Sequence, residues 1–256
     1  LVLSVLTSAR RPVAASDRKA MALLGVLWMA FPLSMFPFAE QRVSSAITGM
    51  LNAAVPLFAA IVASVLARRL PSRGVAIGLA VGLTGAVLMA WPTIHQGRSS
   101  ADGVLLILAA LVSYGFAINL ALPLQRRNGA LPVIWRAQAA ALVLTAPFGI
   151  RDLLHAHWET GPVLALLALG SLGTGLAYVL ITMAAGRVGS TRASATAFLI
   201  PPVALVLGVL VRHEHVAALS VLGAAVCVAG AWLMNRRRSR EVPGAPGTHL
   251  QLGKRE

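Results

Sequence analysis

Apolar and polar positions do not alternate along this chain. The apolar ones run together in long blocks. Seven stretches carry no charged residue, at 20–39, 43–67, 74–94, 103–125, 160–186, 193–211 and 216–235, and an eighth, 131–150, is interrupted only by Arg136 near its start. A hydrocarbon core about 30 Å thick is crossed by about 20 helical residues. These blocks have that length and exceed a barrel strand. An open strand leaves its backbone groups unpaired in lipid, so the pattern predicts eight membrane-spanning helices.

Composition agrees and narrows the class. The 256 residues are 57% hydrophobic and 12% charged, with a mean hydropathy of +0.78, whereas soluble domains carry roughly a quarter charged residues. That excludes a soluble globular protein and makes the bilayer the solvent for most of the chain. The net charge of +14 would suit a nucleic-acid binder if the basic residues shared one soluble face. They sit instead in short clusters between the apolar blocks, so charge reports topology and no nucleic-acid partner is expected. With eight alternating spans, seventeen Lys and Arg fall on one side (10–19, 68–73, 126–127, 187–192 and the tail) and four on the other (Arg42, Arg98, Arg151 and Arg212), leaving Arg136 inside a span. Basic loops stay in the cytoplasm, so the first loop and the C-terminus are expected there, in a bacterial plasma membrane. Residues 236–256 are expected to form a disordered basic tail against the anionic inner leaflet. The single cysteine, Cys227, lies in an apolar stretch and reads as a small buried hydrophobe, with no disulfide and no metal or other cofactor implied. Leu1 to Ala9 has no signal-peptide form and no initiating methionine, and the chain is expected to begin inside a larger protein.

Shifting the chain by 145 residues without a gap aligns 21–89 with 166–234, with sixteen of 69 positions identical. The matches include Arg42/Arg187, Val43/Val188, Ser45/Ser190, Pro56/Pro201, Gly78/Gly223, Gly85/Gly230 and Leu88-Met89/Leu233-Met234. The loop counting puts 68–73 on the cytoplasmic side and its counterpart 212–218 outside, so the repeated unit holds an odd number of spans. Five fits. The expected fold is an all-α integral membrane bundle of eight full helices plus a remnant of one, from two inverted five-helix repeats. The first, at 1–94, lacks its opening helix; a 95–102 outer loop leads to the second, at 103–235. Inverted repeats are a recurrent architecture of secondary transporters, with the substrate near the midplane between the halves.

The segment ATAFLIPPVALVLGVLVRHEHVAALSVLGAAVCVAGAWLM, at 195–234 with its preceding residues, and the related run 46–89 carry a resemblance. With Pro201, Glu214, Gly223 and Gly230 in the second and Pro56, Gly78 and Gly85 in the first, the chain resembles the EamA-type family of the drug/metabolite transporter superfamily, N-terminally truncated. The resemblance implies a ten-helix bundle of two inverted repeats, and Arg136 matches an arginine typical of the repeat's second helix. Arg69 departs from it, standing where the first repeat usually has Glu.

Candidate chemistry lies on helix faces inside the blocks. Ser45, Thr48, Asn52 and Pro56 follow at spacings of three, four and four, one face of a helix, and the repeat puts Ser194 and Pro201 on the matching face. A mid-helix proline frees a carbonyl and bends the axis, so Pro56 and Pro201 are read as kinks, with Glu214 at the gate between two spans. Thr174 and Tyr178 share a second polar face, Tyr114 and Asn119 are the mid-depth polar residues of their block, and Trp28 is the large aromatic of the first. Arg136, charged within a span, either anchors a substrate carboxylate or snorkels to the interface. The expected partners are a small-molecule substrate, the lipid bilayer and, in a homodimer, a second copy. The leading expectation is an exporter of small metabolites such as amino acids working by alternating access. A non-transporting membrane remnant is the alternative. An intramembrane enzyme is disfavoured because neither HExxH nor GxSxG occurs.

Overall fold

The computed structural model describes residues 12–95, 101–153, 158–176 and 200–241, which are helical almost throughout. We number the helices α1 (Ala15–Glu40) and α2 (Ser45–Ala67), α3 (Arg73–His95), α4 (Ala101–Asn128) and α5 (Ala130–Leu153), α6 (Thr160–Leu176, opening as Thr160–Ala168), α7 (Ile200–Arg212) and α8 (Ala218–Glu241). Five of these, α1 to α5, contain stretches long and apolar enough to cross a membrane, and the described parts of α6, α7 and α8 are shorter apolar helices. Large side chains such as Leu70, Val143, Phe148 and Leu210 face outward, as lipid requires, while the contacts between helices use small residues.

The connections follow from local chemistry. α4 and α5 are joined through Gly129, whose φ of +83° disfavours a side chain. α2 starts behind Ser44, whose hydroxyl accepts from the Ile47 N–H at 3.4 Å. α8 runs on to Glu241, past the boundary expected at Asn235, because no helix breaker precedes Pro243.

α3 and α8 form the most extensive pair and run antiparallel. A Cβ at Gly85 would lie 2.7 Å from the Gly223 oxygen, and one at Gly230 would lie 2.7 Å from the Gly78 oxygen. The 145-residue shift turns the first of these contacts into the second. Ser220, 1% exposed on α8, donates to the Met89 oxygen at 2.9 Å. The first half of α2 packs on α7, with Gly49 facing Ala204 and Gly208 facing Ala46. The second half packs on α4, where Gly115 lies against Phe58. α1 packs on α4 and α5, and Gly25 admits the Ala137 backbone.

Both ends of the bundle carry polar ties. At one, Asp17 accepts from Asn128 Nδ2 at 2.7 Å and pairs with Arg127 at 3.2 Å. At the other, Glu40, Arg42, Pro92 and Glu214 border one cavity. Arg73 opens α3 and Pro92 lies near its far end, so the Arg68–Arg73 turn and Glu214 stand a helix length apart.

Candidate translocation site

Two helices depart locally from α geometry, each beside a proline. In α2 the α-helix stops at Leu51, Asn52–Ala54 form a 3-10 turn, and the α-helix resumes at Val55 with Pro56 next. Pro56 has no N–H for the Asn52 oxygen four residues back, and the Val55 N–H supplies that carbonyl instead. The Asn52–Ala54 turn packs against α7, α8 and α3. The side-chain Oδ1 of Asn52 is buried and, among the described residues, has no hydrogen-bond partner, a costly state for an amide oxygen away from water.

In α1 a π-turn spans Val26–Ala30, with the Phe31 N–H bonded to the Val26 oxygen. The next bond of that ladder would run from residue 32 to the Leu27 oxygen, but residue 32 is proline. Ser113 of α4 takes the place of the missing donor, its hydroxyl 2.8 Å from the Leu27 oxygen. Sequence reasoning did not single out Ser113; the signal was Pro32, whose effect reaches another helix.

A cavity of about 450 Å³ opens beside this π-turn, between α1, α5 and α6. Its polar positions are Ser34, Gln138, Thr145 and Thr174. Ser34 and Thr145 donate to their own helices, at the Ala30 oxygen (2.7 Å) and the Ala141 oxygen (2.9 Å). Gln138 and Thr145 lie seven apart on one face of α5, a pattern visible in the sequence but not weighed.

The expected site residues do not converge on one point. Thr174 lines the α1–α5–α6 cavity, and the half-buried Trp28 stands in the π-turn. Arg136 folds back on its helix, Nη1 donating to the Pro132 oxygen at 3.1 Å, with its guanidinium 5.6 Å from the centre of the Trp135 ring. Tyr114 lies with its ring centroid 6.1 Å from that of Phe36. Asn119 Nδ2 donates to the Ala59 and Gly115 oxygens, both at 2.9 Å, tying α4 to α2. On the expected α2 face, Thr48 is 4% exposed and donates to the Ser44 oxygen at 3.1 Å. Ser45 turns to Glu214, and Asn52 keeps its free oxygen. Pro201 is buried at the second position of α7. Tyr178 and Ser194 lie outside the described residues.

The polar end cavity, about 410 Å³, lies between the α1–α2 and α7–α8 connections and is bordered by Glu40, Arg42, Arg212, His213, Glu214 and His215. The Glu214 carboxylate accepts from the Ser45 N–H at 3.0 Å, the Ser45 hydroxyl and the Ala46 N–H at 2.8 Å, with Arg212 Nε 3.8 Å away. Burial raises its pKa, but the Ser45 hydroxyl, the Ala46 and Ser45 N–H groups and the Arg212 charge outweigh burial and hold it below the ordinary 4.5.

Bilayer-length helices in glycine contact, two of them departing from α geometry around polar groups, place the chain among integral membrane proteins. Comparison with known proteins is more specific. The chain belongs to the EamA-like transporter family, which matches residues 101–236. It is 31% identical over 245 residues to a probable terminal-alkyne amino-acid exporter of Streptantibioticus cattleyicolor, covering 93% of this chain and 80% of that protein. It is also 26% identical over 234 residues to the uncharacterized transporter YdfC of Bacillus subtilis, covering 90% and 75%, and 24% identical over 221 residues to YoaV of the same organism, covering 84% and 75%.

Proposed function

We propose that this protein is a secondary transporter that exports small, amino-acid-like metabolites across the bacterial plasma membrane. It works by alternating access between two inverted repeats of a five-helix unit, the first incomplete, with its C-terminus in the cytoplasm. The observation that carries the reading is the α3–α8 contact. Gly85 meets Gly223 and Gly230 meets Gly78, so a shift of 145 residues exchanges the two contacts, as a two-fold axis between antiparallel copies would. The name of the Streptantibioticus relative supports the substrate class and the direction.

Within this reading the broken α2 is the moving element and Asn52 its ligand contact. An unpartnered buried oxygen on a discontinuous helix suits a substrate ammonium or amide donor, whose bond replaces the one that water would have made. Thr174, with Ser34, Gln138 and Thr145 around the α1–α5–α6 cavity, offers a second polar surface to the substrate, and Tyr178 is expected to continue the Thr174 face.

Efflux of labelled amino acids from cells expressing the chain tests the function, with Asn52→Ala at equal membrane level as the site control. Tags placed after Arg69 and after Glu214 test the architecture. They are expected on opposite sides of the membrane, and both on the same side would overturn the inverted arrangement.

A further inference from the structure

Glu214 belongs to the α7–α8 connection, yet its carboxylate serves α2. Two of the N–H groups it accepts from, those of Ser45 and Ala46, are among the first of α2, which have no partner within their own helix. A carboxylate there also meets the positive end of the helix dipole. The backbone aims the side chain. α7 ends at Arg212, His213 turns left-handed at φ +52°, and the Glu214 N–H closes back on the Gly208 oxygen at 3.0 Å. Gly208 leaves the room: a Cβ there would lie 2.9 Å from Glu214 Oε2 and 2.5 Å from the Ala46 Cβ. The seated side chain is 13% exposed.

The end of α2 also turns left-handed, with the Arg69 N–H closing on the Ser64 oxygen at 3.1 Å. Arg68 has φ +50° and, with His213, completes the non-glycine residues of positive φ among those described; the 145-residue shift pairs the two. The next residue is Arg69 in one copy and Glu214 in the other. A guanidinium carries only donors and cannot accept from a helix start. The left-handed residue is shared, but the acceptor is present in one copy.

We propose that Glu214 is a one-sided latch. Seated on the first N–H groups of α2, its carboxylate holds shut the mouth between the α1–α2 and α7–α8 connections, and Arg69 gives the opposite end no equivalent. This biases the protein toward the form closed at the Glu214 end. The proposal rests on the alternating-access reading for its use, but its test needs no substrate.

Ile47, 4% exposed, borders the end cavity in the same first turn of α2 as the latch contacts. In a Cys227→Ala background, Ile47→Cys in the purified full chain is exposed to a water-soluble maleimide. Glu214→Gln puts an amide donor where one of the acceptors stood and is expected to speed labelling about tenfold, and Ser45→Ala, which removes one of three bonds, about threefold. His215→Ala borders the same cavity without touching the carboxylate and is expected to label at the parent rate. Parent rates in both Glu214→Gln and Ser45→Ala overturn the latch, and so does a His215→Ala rate as high as that of Glu214→Gln, which marks general loosening. If efflux fails while labelling follows this order, the export reading falls and the latch stands.

Discussion

Gly230→Ala is the most direct probe of the α3–α8 contact. The new Cβ would lie 2.5 Å from Gly82 Cα and 2.7 Å from the Gly78 oxygen, where ordinary contact begins near 3.4 Å. These and the still nearer Gly82 nitrogen are backbone atoms that cannot rotate away, so the helices must part by about 1 Å at this level. Overpacking of this kind costs about 1–3 kcal/mol, a factor of roughly 5 to 150 in the folding equilibrium. Gly85→Ala meets the Gly223 oxygen at 2.7 Å and Cys227 Cα at 2.8 Å, so the repeat predicts a similar loss. Gly149→Ala is the contrast. A Cβ there meets nothing within 4 Å, and relief of glycine's backbone entropy within α5 should stabilise by about 0.5–1 kcal/mol. The assay is reversible denaturation in mixed micelles followed by helicity. Gly230→Ala and Gly85→Ala should shift the midpoint down by like amounts and Gly149→Ala should shift it up. A Gly230→Ala midpoint at or above the parent's would refute the close contact, and a large inequality between the two interface variants would refute the exchange symmetry.

Other outcomes follow from single groups. Ser113→Ala leaves the part-buried Leu27 oxygen without its donor and should destabilise by about 1–3 kcal/mol in the same assay, whereas Ser113→Thr should retain most of the stability. Asn52→Ala and Tyr178→Ala should each lower export several-fold at unchanged membrane level, read by labelled efflux. The Glu214 carboxyl sits below its ordinary pKa of 4.5, so its stabilisation is complete above that value and is lost as pH falls through the lowered one. Measured as a ratio to the Glu214→Gln variant at the same pH, which cancels the fall in thiolate, labelling at position 47 should therefore stay constant from neutral pH to about 5 and rise below 4.5. Glu40, Arg42, Arg212, His213 and His215 also face that cavity, and repeating the profile in Glu214→Gln removes their contribution from the comparison.

The helices were legible because lipid leaves few options. A charge-free block of bilayer length has to be helical, and the described elements fall where the blocks lie. Pro56 announced the break in α2, since a missing N–H has a local effect. Partnerships were not legible. Glu214 and Ser45 are 169 positions apart and Ser113 and Leu27 are 86 apart, and no periodicity links them. The polar stripe on α2 is one face, yet its members diverge: Ser45 turns to another connection, Thr48 to its own backbone, and Asn52 to no described group. Spacing reports which residues share a face but not which neighbour each meets.

The division of α2 at Asn52–Ala54 has a mechanical consequence. The first segment leans on α7 and the second on α4, so each answers to a different neighbour. An unbroken rod would transmit any tilt from one rim of the bundle to the other, whereas two short rods on a tight elbow absorb it halfway. In the alternating-access reading, that would let the two rims move out of step.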